Sequence, residues 1–394
     1  MRKPTQGPLQ GIRILDLTRL LPGPLGTMLM ADMGAEVIKI EDPKQPDYVR
    51  QFPPYQNGVS MNYLAFNRSK LSVLIELSTE AGKTTFMELI RTADVVVEQF
   101  RPTFLDKLGI GYEAAKEVNE KIIYVSITGY GQTGPYAHLA GHDINYTAIA
   151  GVMDVTGNEN QPIVAGTQIA DIAGGSYMSV IAILSALYAR SQTGKGQQVD
   201  VSMTDAVMPL LTAIYHPTSA ANDLLSWQNS RGNFPLSGGL PNYGVYQTND
   251  EQFIALGTLE PKFWQKFCHL VNKPDWVSFI FPESQVQAES YKKQIAELIF
   301  SESRDYWVNI GTAHDLLITA VNSLDEIHYD SHLQAREMIL EEEHPQAGKF
   351  YSIGVPLKFS ETPARPSWTA PDLGADTEAV MTELSNRSEN NSFY

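Results

Sequence analysis

The chain has 394 residues, 43% hydrophobic and 19% charged, the balance of a folded globular protein rather than a disordered one. Its length predicts two domains. A net charge of −16 argues against general nucleic-acid binding, which needs a broad basic surface, yet a few local cations could still hold a phosphorylated small molecule.

Cys268 is the only cysteine, so an internal disulfide and a thiolate cluster are excluded and no metal site is expected. No apolar run approaches the roughly 20 residues that span a bilayer. "MRKPTQGPLQ" is followed by no apolar signal core, which predicts a cytoplasmic protein.

In chain order, "GIRILDL" (11–17) is a short apolar strand, "GPLGTMLMADMG" (23–34) has helical spacing and stops at Gly34, and "AEVIKIE" (35–41) is a second strand. That is a βαβ unit. "KLSVLIEL", "ADVVVEQF" and "KIIYVSITGYG" continue the series; "SVIAILSALYARSQTGKG" (179–196) is a helix with a glycine stop, and "QQVDVSM" (197–203) is the strand after it. The fold class expected is α/β, with a doubly wound, Rossmann-like large domain whose first part is 1–216. Residues 217–242, rich in Pro, Ser, Asn and Gly, read as a linker or crossing segment. "YGVYQTNDEQFIALGT" (243–258) is a hairpin turning at Asn249-Asp250, and two helical segments after it give a smaller α+β domain over 243–325. Cys268, on the first of those helices, reads as a buried thiol rather than a nucleophile. Within 326–394, "PLKFSETPARPSWTAPDLG" (356–374) is proline-rich and extended, and the end is a weak helix and a frayed tail, "SNRSENNSFY".

A βαβ start with Glu41 closing the second strand invites a dinucleotide-binding reading. The turn "LLPGPLG" (20–26) opposes it, because Pro22 and Pro24 lack the amide hydrogens of a pyrophosphate cradle. "GYGQTG" (129–134) has the wrong spacing.

Two residues invite a catalytic reading. His142, in "LAGHDINYTAIAGV", stands where a helix begins and is either a proton carrier or a polar cap; Asp143 beside it could cap the same helix. Asp171, in "QIADIAGGS", precedes the long helix. A carboxylate there ionises easily, and Ala173, Gly174 and Gly175 leave room for a substrate, but plain N-capping explains an aspartate equally well. Lys39, Arg68, Lys70, Arg101 and Arg19 fall at strand ends and loops, where they either meet phosphates or simply solvate the loop.

The segments "GIRILDLTRLLPGPLGTMLMADMGAEVIKIE", "NRSKLSVLIEL", "ADVVVEQFRPTFLDKLGIGYE", "VSITGYGQTGP", "GHDINY", "ADIAGGS" and "TGKGQQVDVSM" resemble family III CoA-transferases of the CaiB/BaiF type. That family includes carnitine CoA-transferases and α-methylacyl-CoA racemases, and the likeness runs from about residue 8 to "APDLGADTEAV" at 370–380. The resemblance implies a large domain completed by the return segment 326–394, a smaller inserted domain, and an interlocked homodimer. It implies an acyl-CoA thioester as ligand, with coenzyme A entering as part of the substrate and no separate cofactor. It also places the nucleotide near Lys39, Arg68, Lys70 and Arg101, although Thr103 stands where the family commonly has Gly.

Asp171 matches the family's essential aspartate. "GHDINY" is the racemase form, making His142 and Asp171 an acid–base pair, and "IALGTLEPKFW" makes Glu260 the carboxylate that supports the histidine. "SGGLPNYGVY" lacks the longer glycine tract of oxalate-type transferases, and Leu21 replaces their glutamine, which argues against formyl-CoA:oxalate exchange. The reaction expected is racemase-like 1,1-proton transfer at the α-carbon of an acyl-CoA. The alternative is transfer of CoA to a carboxylic acid acceptor through an Asp171 acyl-anhydride and an enzyme–CoA thioester. Backbone amides just after Asp171 are the natural donors to the thioester oxygen.

Overall fold

A computed structural model describes residues 2, 4, 6–219, 228 and 230–391. The chain forms two compact units, Met1–Ala150 with Thr167–Val207 and Ser331–Tyr394, and Gly151–Gly166 with Met208–Asp330.

The first unit is built on six parallel strands: β1 (Arg13–Asp16), β2 (Glu36–Glu41), β3 (Lys70–Leu74), β4 (Val95–Glu98), β5 (Ile123–Thr128) and β6 (Gln198–Ser202). Their order across the sheet is 3-2-1-4-5-6, the doubly wound order. The strands are short and nearly continuously apolar because helices cover both faces. On one face Leu15, Ile38, Leu71, Val96 and Tyr124 pack against Phe86 and Leu89 of the helix Glu80–Ile90. The other carries α1 (Pro22–Asp32) and a continuous helix that starts as the π-helix Ala170–Tyr177 and runs into α2 (Met178–Thr193).

The 24 residues Ala170–Thr193 are long and apolar enough to cross a bilayer by length and composition, which corrects the expectation that no such run exists. Its halves pack on α1 and β5 inside this unit. Tyr177, Ile181, Leu184 and Tyr188 remain exposed along the opposite side.

The return segment lies along edge strand β3. Trp368 O accepts from Ser69 N, Trp368 Nε1 donates to Lys70 O, and Asp376 Oδ2 accepts from Ser72 N. The terminal helix, Thr377–Asn391, includes most of the stretch expected to fray.

The second unit has a hairpin, β7 (Tyr243–Gln247) and β8 (Phe253–Gly257), with β9 (Ile318–Ala320) paired to β8. Trp264 and Cys268 on helix Pro261–Leu270 pack with Ile295, Ile299 and Trp307 in its core. Burial pushes the Cys268 thiol up to about 12, so it is an inert packing group.

Two expected boundaries are corrected. Residues 151–166 and 208–216 belong to the second unit, not to the first part of the large domain. Arg231 holds the first of these, donating to Asn158 O at 2.9 Å and to Asp154 Oδ1 at 2.7 Å. Of the expected crossing segment 217–242, residues 220–227 and 229 lie outside the described residues.

Candidate active site

In a doubly wound sheet the connections leave β1 and β4 in opposite directions, opening a crevice at their carboxyl ends. A cleft of about 540 Å3 lies there, walled by Pro22 after β1, Gln99–Arg101 after β4, Thr128–Gly129 ending β5, and Met203 after β6. Hydrogen bonds join these walls. Gly23 N donates to Gln99 Oε1, Ser176 Oγ to Pro22 O at 2.7 Å, and Thr204 Oγ1 to Gly129 O at 2.7 Å. Glu98, buried at the end of β4, accepts from Phe100 N at 2.7 Å and so pins the second wall; burial raises its carboxyl to about 7.

His142 and Asp171 both line this cleft. His142 is the exposed N-cap residue of the helix Asp143–Ile149, and its backbone N donates to Asn145 Oδ1 at 3.0 Å. Asp143 does not cap that helix as expected. Its Oδ1 instead accepts from Ala170 N at 2.6 Å and Asp171 N at 3.0 Å, tying the histidine's turn to the start of the π-helix. π-Helical turns are rare and frequent at functional sites.

Burial, then the nearby Asp143 carboxylate, raise the Asp171 carboxyl to about 6, while His142 pulls the other way. The Tyr146 ring fits a slot made by two glycines, since a Cβ on Gly129 or Gly141 would lie within 2.6 Å of it. Burial and Asp171 push its hydroxyl up to about 12, and that hydroxyl donates to Gly141 O.

Several sequence expectations fail here. Gly174 and Gly175 leave no room for a substrate: a Cβ there would meet Met203 O at 2.7 Å and Pro22 Cβ at 2.6 Å, so their smallness admits neighbouring backbone. Of the amides expected as oxyanion donors, Ile172 N, directly after Asp171, is taken by Gln168 O, and Asp143 holds those of Ala170 and Asp171 itself.

Three of the five expected phosphate cations are spent inside the protein. Lys39 Nζ donates to Asp47 Oδ2 and Thr18 O, both at 2.9 Å. Lys70 Nζ donates to Asp16 Oδ2, Pro24 O and Asn67 Oδ1. Both side chains are wholly buried. Arg68 is buried against Asp32 and Glu342. Burial opposes the charge on Asp16, but Lys70 and Lys39 outweigh it and hold its carboxyl below the usual range. A phosphate could reach these cations only by breaking buried pairs, at about 3–5 kcal/mol each.

Arg101 lines the cleft and is exposed, and half-buried Arg19 sits 5.6 Å from the centre of the Phe100 ring. Neither has a carboxylate partner among the described residues. Nor, among the described residues, do three His, Cys, Asp or Glu side chains converge as a metal site would require.

Residues 9–377 match the model of CoA-transferase family III. The chain belongs to that family. It is 36% identical to the acetyl-CoA:oxalate CoA-transferase of Acetobacter aceti, over 90% of this chain and 90% of that protein. It is 31% identical to the human α-methylacyl-CoA racemase, over 95% and 93%. A CaiB/BaiF family protein from Brucella suis superposes with a TM-score of 0.83 at 29% identity, covering 96% of this chain and all of that one. This CoA-transferase family III member is an enzyme, with transferases and a racemase among its relatives.

Glu260 lies in the second compact unit, at the N-cap of helix Pro261–Leu270, exposed and making no side-chain cap bond. Thr103 adopts φ +66°, a left-handed conformation costly for a β-branched residue. Sequence reasoning missed Gln99, Glu98, Thr128 and the bridging role of Asp143. Only Asp143 had a usable signal, its place in "GHDINY".

Proposed function

We propose that this enzyme transfers a proton at the α-carbon of an acyl-CoA thioester, with the cleft at the carboxyl ends of β1 and β4 as its acyl-CoA site. The observation that carries this reading is the pairing of His142 with an Asp171 carboxyl held near 6 on one cleft. A 1,1-proton transfer needs one group to take the α-hydrogen and another to return a proton to the opposite face of the enolate. A carboxyl near 6 is a competent base when ionised and a competent acid when protonated, and imidazole carries a proton either way. Glu260, with no cap bond to make, keeps the supporting role that the resemblance to racemases implies for it. Arg101 and Arg19 are the cations for CoA phosphates. CoA enters as part of the substrate, so no further cofactor is needed. The enzyme works as an interlocked homodimer, supported by the apolar side of α2 that Tyr177, Ile181, Leu184 and Tyr188 leave uncovered.

The test is incubation with a panel of 2-methyl-branched acyl-CoAs in deuterated water, with and without carboxylic acids. Deuterium entering the α-position without an acid acceptor is expected, and His142→Ala should abolish exchange from one enantiomer. Exchange unchanged in that variant removes His142 from the mechanism.

The 36% identity to an oxalate CoA-transferase favours a second reading, CoA transfer to a carboxylic acid. Asp171 would attack the thioester carbonyl, expel the CoA thiolate and form a mixed anhydride; the thiolate would then give an enzyme–CoA thioester and free the first acid. A hydroxylamine-trapped adduct on Asp171, seen by mass, together with acceptor-dependent turnover, would establish it over proton transfer.

A further inference from the structure

Either reaction above puts negative charge on the thioester carbonyl oxygen. It becomes an enolate oxygen when the electron pair of the α-C–H bond moves onto it, or a tetrahedral oxyanion when Asp171 attacks the carbonyl. Such an oxygen needs hydrogen-bond donors that are already in place. The amides of Ala170, Asp171 and Ile172 are taken, and the Tyr146 hydroxyl is given to Gly141 O. Two side-chain carboxamides line the cleft, those of Gln99 and Asn145. Asn145 is exposed, so water competes for its N–H groups, whereas Gln99, directly after β4, is half-buried.

Gln99 Oε1 accepts from Gly23 N at 3.3 Å. Turning the amide over would set its N–H groups against that N–H, so the bond fixes Oε1 on Gly23 and leaves Nε2 as the free end. Nε2 donates to no described residue, and it is not among the buried atoms without a partner, so it is open at the cleft wall. The turn that holds it is braced on the helix that carries Asp171. Pro22, next to Gly23, accepts from Ser176 Oγ at 2.7 Å, and a Cβ on Gly175 would lie 2.6 Å from Pro22 Cβ.

We propose that Gln99 Nε2 donates to the thioester carbonyl oxygen of a bound acyl-CoA and holds the negative charge that develops there. This rests on the acyl-CoA reading above and serves proton transfer and CoA transfer alike. A fixed, half-buried N–H group strengthens its bond as the oxygen gains charge, so its effect falls on the rate of the chemical step rather than on binding.

Two variants test this. Gln99→Glu keeps an oxygen for Gly23 N but has no N–H, and Gln99→Met fills similar space with neither group. At about pH 8, where a glutamate is ionised, both should lower kcat by about a hundredfold with little change in KM. Free CoA has no acyl carbonyl, so its calorimetric Kd for Gln99→Met should stay within about twofold of the wild type, which also certifies the variant's fold. A kcat within about threefold of the wild type in both variants overturns the assignment. So does a loss confined to one of them, since Gln99→Met alone would report the missing Gly23 bond and Gln99→Glu alone the added charge. A fall in kcat matched by an equal loss of CoA affinity in Gln99→Met overturns it too, because the wall and not the donor has gone. Each of these results leaves the acyl-CoA reading intact. Wild-type protein that neither binds CoA nor turns over an acyl-CoA overturns both.

Discussion

Asp171 is costly to the fold in the form that works. Its folded carboxyl titrates near 6, above the ordinary 3.8. Below about pH 4 the group is protonated in both folded and unfolded chains and adds nothing. As pH rises from there the unfolded chain releases its proton first, so ionisation favours unfolding, and the penalty is complete once pH passes the folded value. Asp171→Asn should therefore lose activity yet gain about 2 kcal/mol in denaturant melts at about pH 7.5, a figure reduced for partial exposure. At about pH 4.5 the gain should fall to about a third of that. The same gain at both pH values would mean that it comes from packing and not from charge. This cost could not be read from "QIADIAGGS", because burial beside Asp143 is a tertiary fact.

At the scale of elements, one carboxylate organises two helices. Asp143 stands on the turn carrying His142 and holds the amides that begin the π-helix carrying Asp171. Asp143→Asn keeps an oxygen for those amides but deletes a negative charge facing Asp171, leaving His142 and the Tyr146 hydroxyl as its other polar neighbours. The acid limb of the pH–rate profile, where Asp171 ionises, should shift to lower pH while the fold survives. Asp143→Ala should instead lose about 1 kcal/mol of stability with the cap. An acid limb that stays put in the Asn variant would show that Asp143 acts only as a structural tie. The strands were legible because short apolar runs between turn residues leave few alternatives: "AEVIKIE" became Glu36–Glu41 and "QQVDVSM" became Gln198–Ser202. The π-helix was not, since its i→i+5 bonds leave no periodic mark in eight residues. Lys39 and Lys70 misled for a related reason: strand-end lysines look alike in sequence whether they meet a ligand or a buried aspartate.

At the scale of the molecule, the apolar side of α2 is the feature a partner would cover. Light scattering should give double the 43.7 kDa chain mass, unchanged on dilution to nanomolar concentration as expected of linked chains. A monomer at any active concentration would refute the dimer. The change of composition after residue 217 falls about ten residues past Val207, where the second unit takes over. The 16-residue excursion of 151–166 was not legible, because it is held by Arg231, some seventy residues away in sequence.

The bonds between β3 and the return segment join residues about 300 positions apart. During synthesis the ribosome delivers β3 long before Trp368 and Asp376, so the nascent large unit carries an uncovered flank for most of translation. That flank is covered only when the far segment, with Trp368 and Asp376, has emerged.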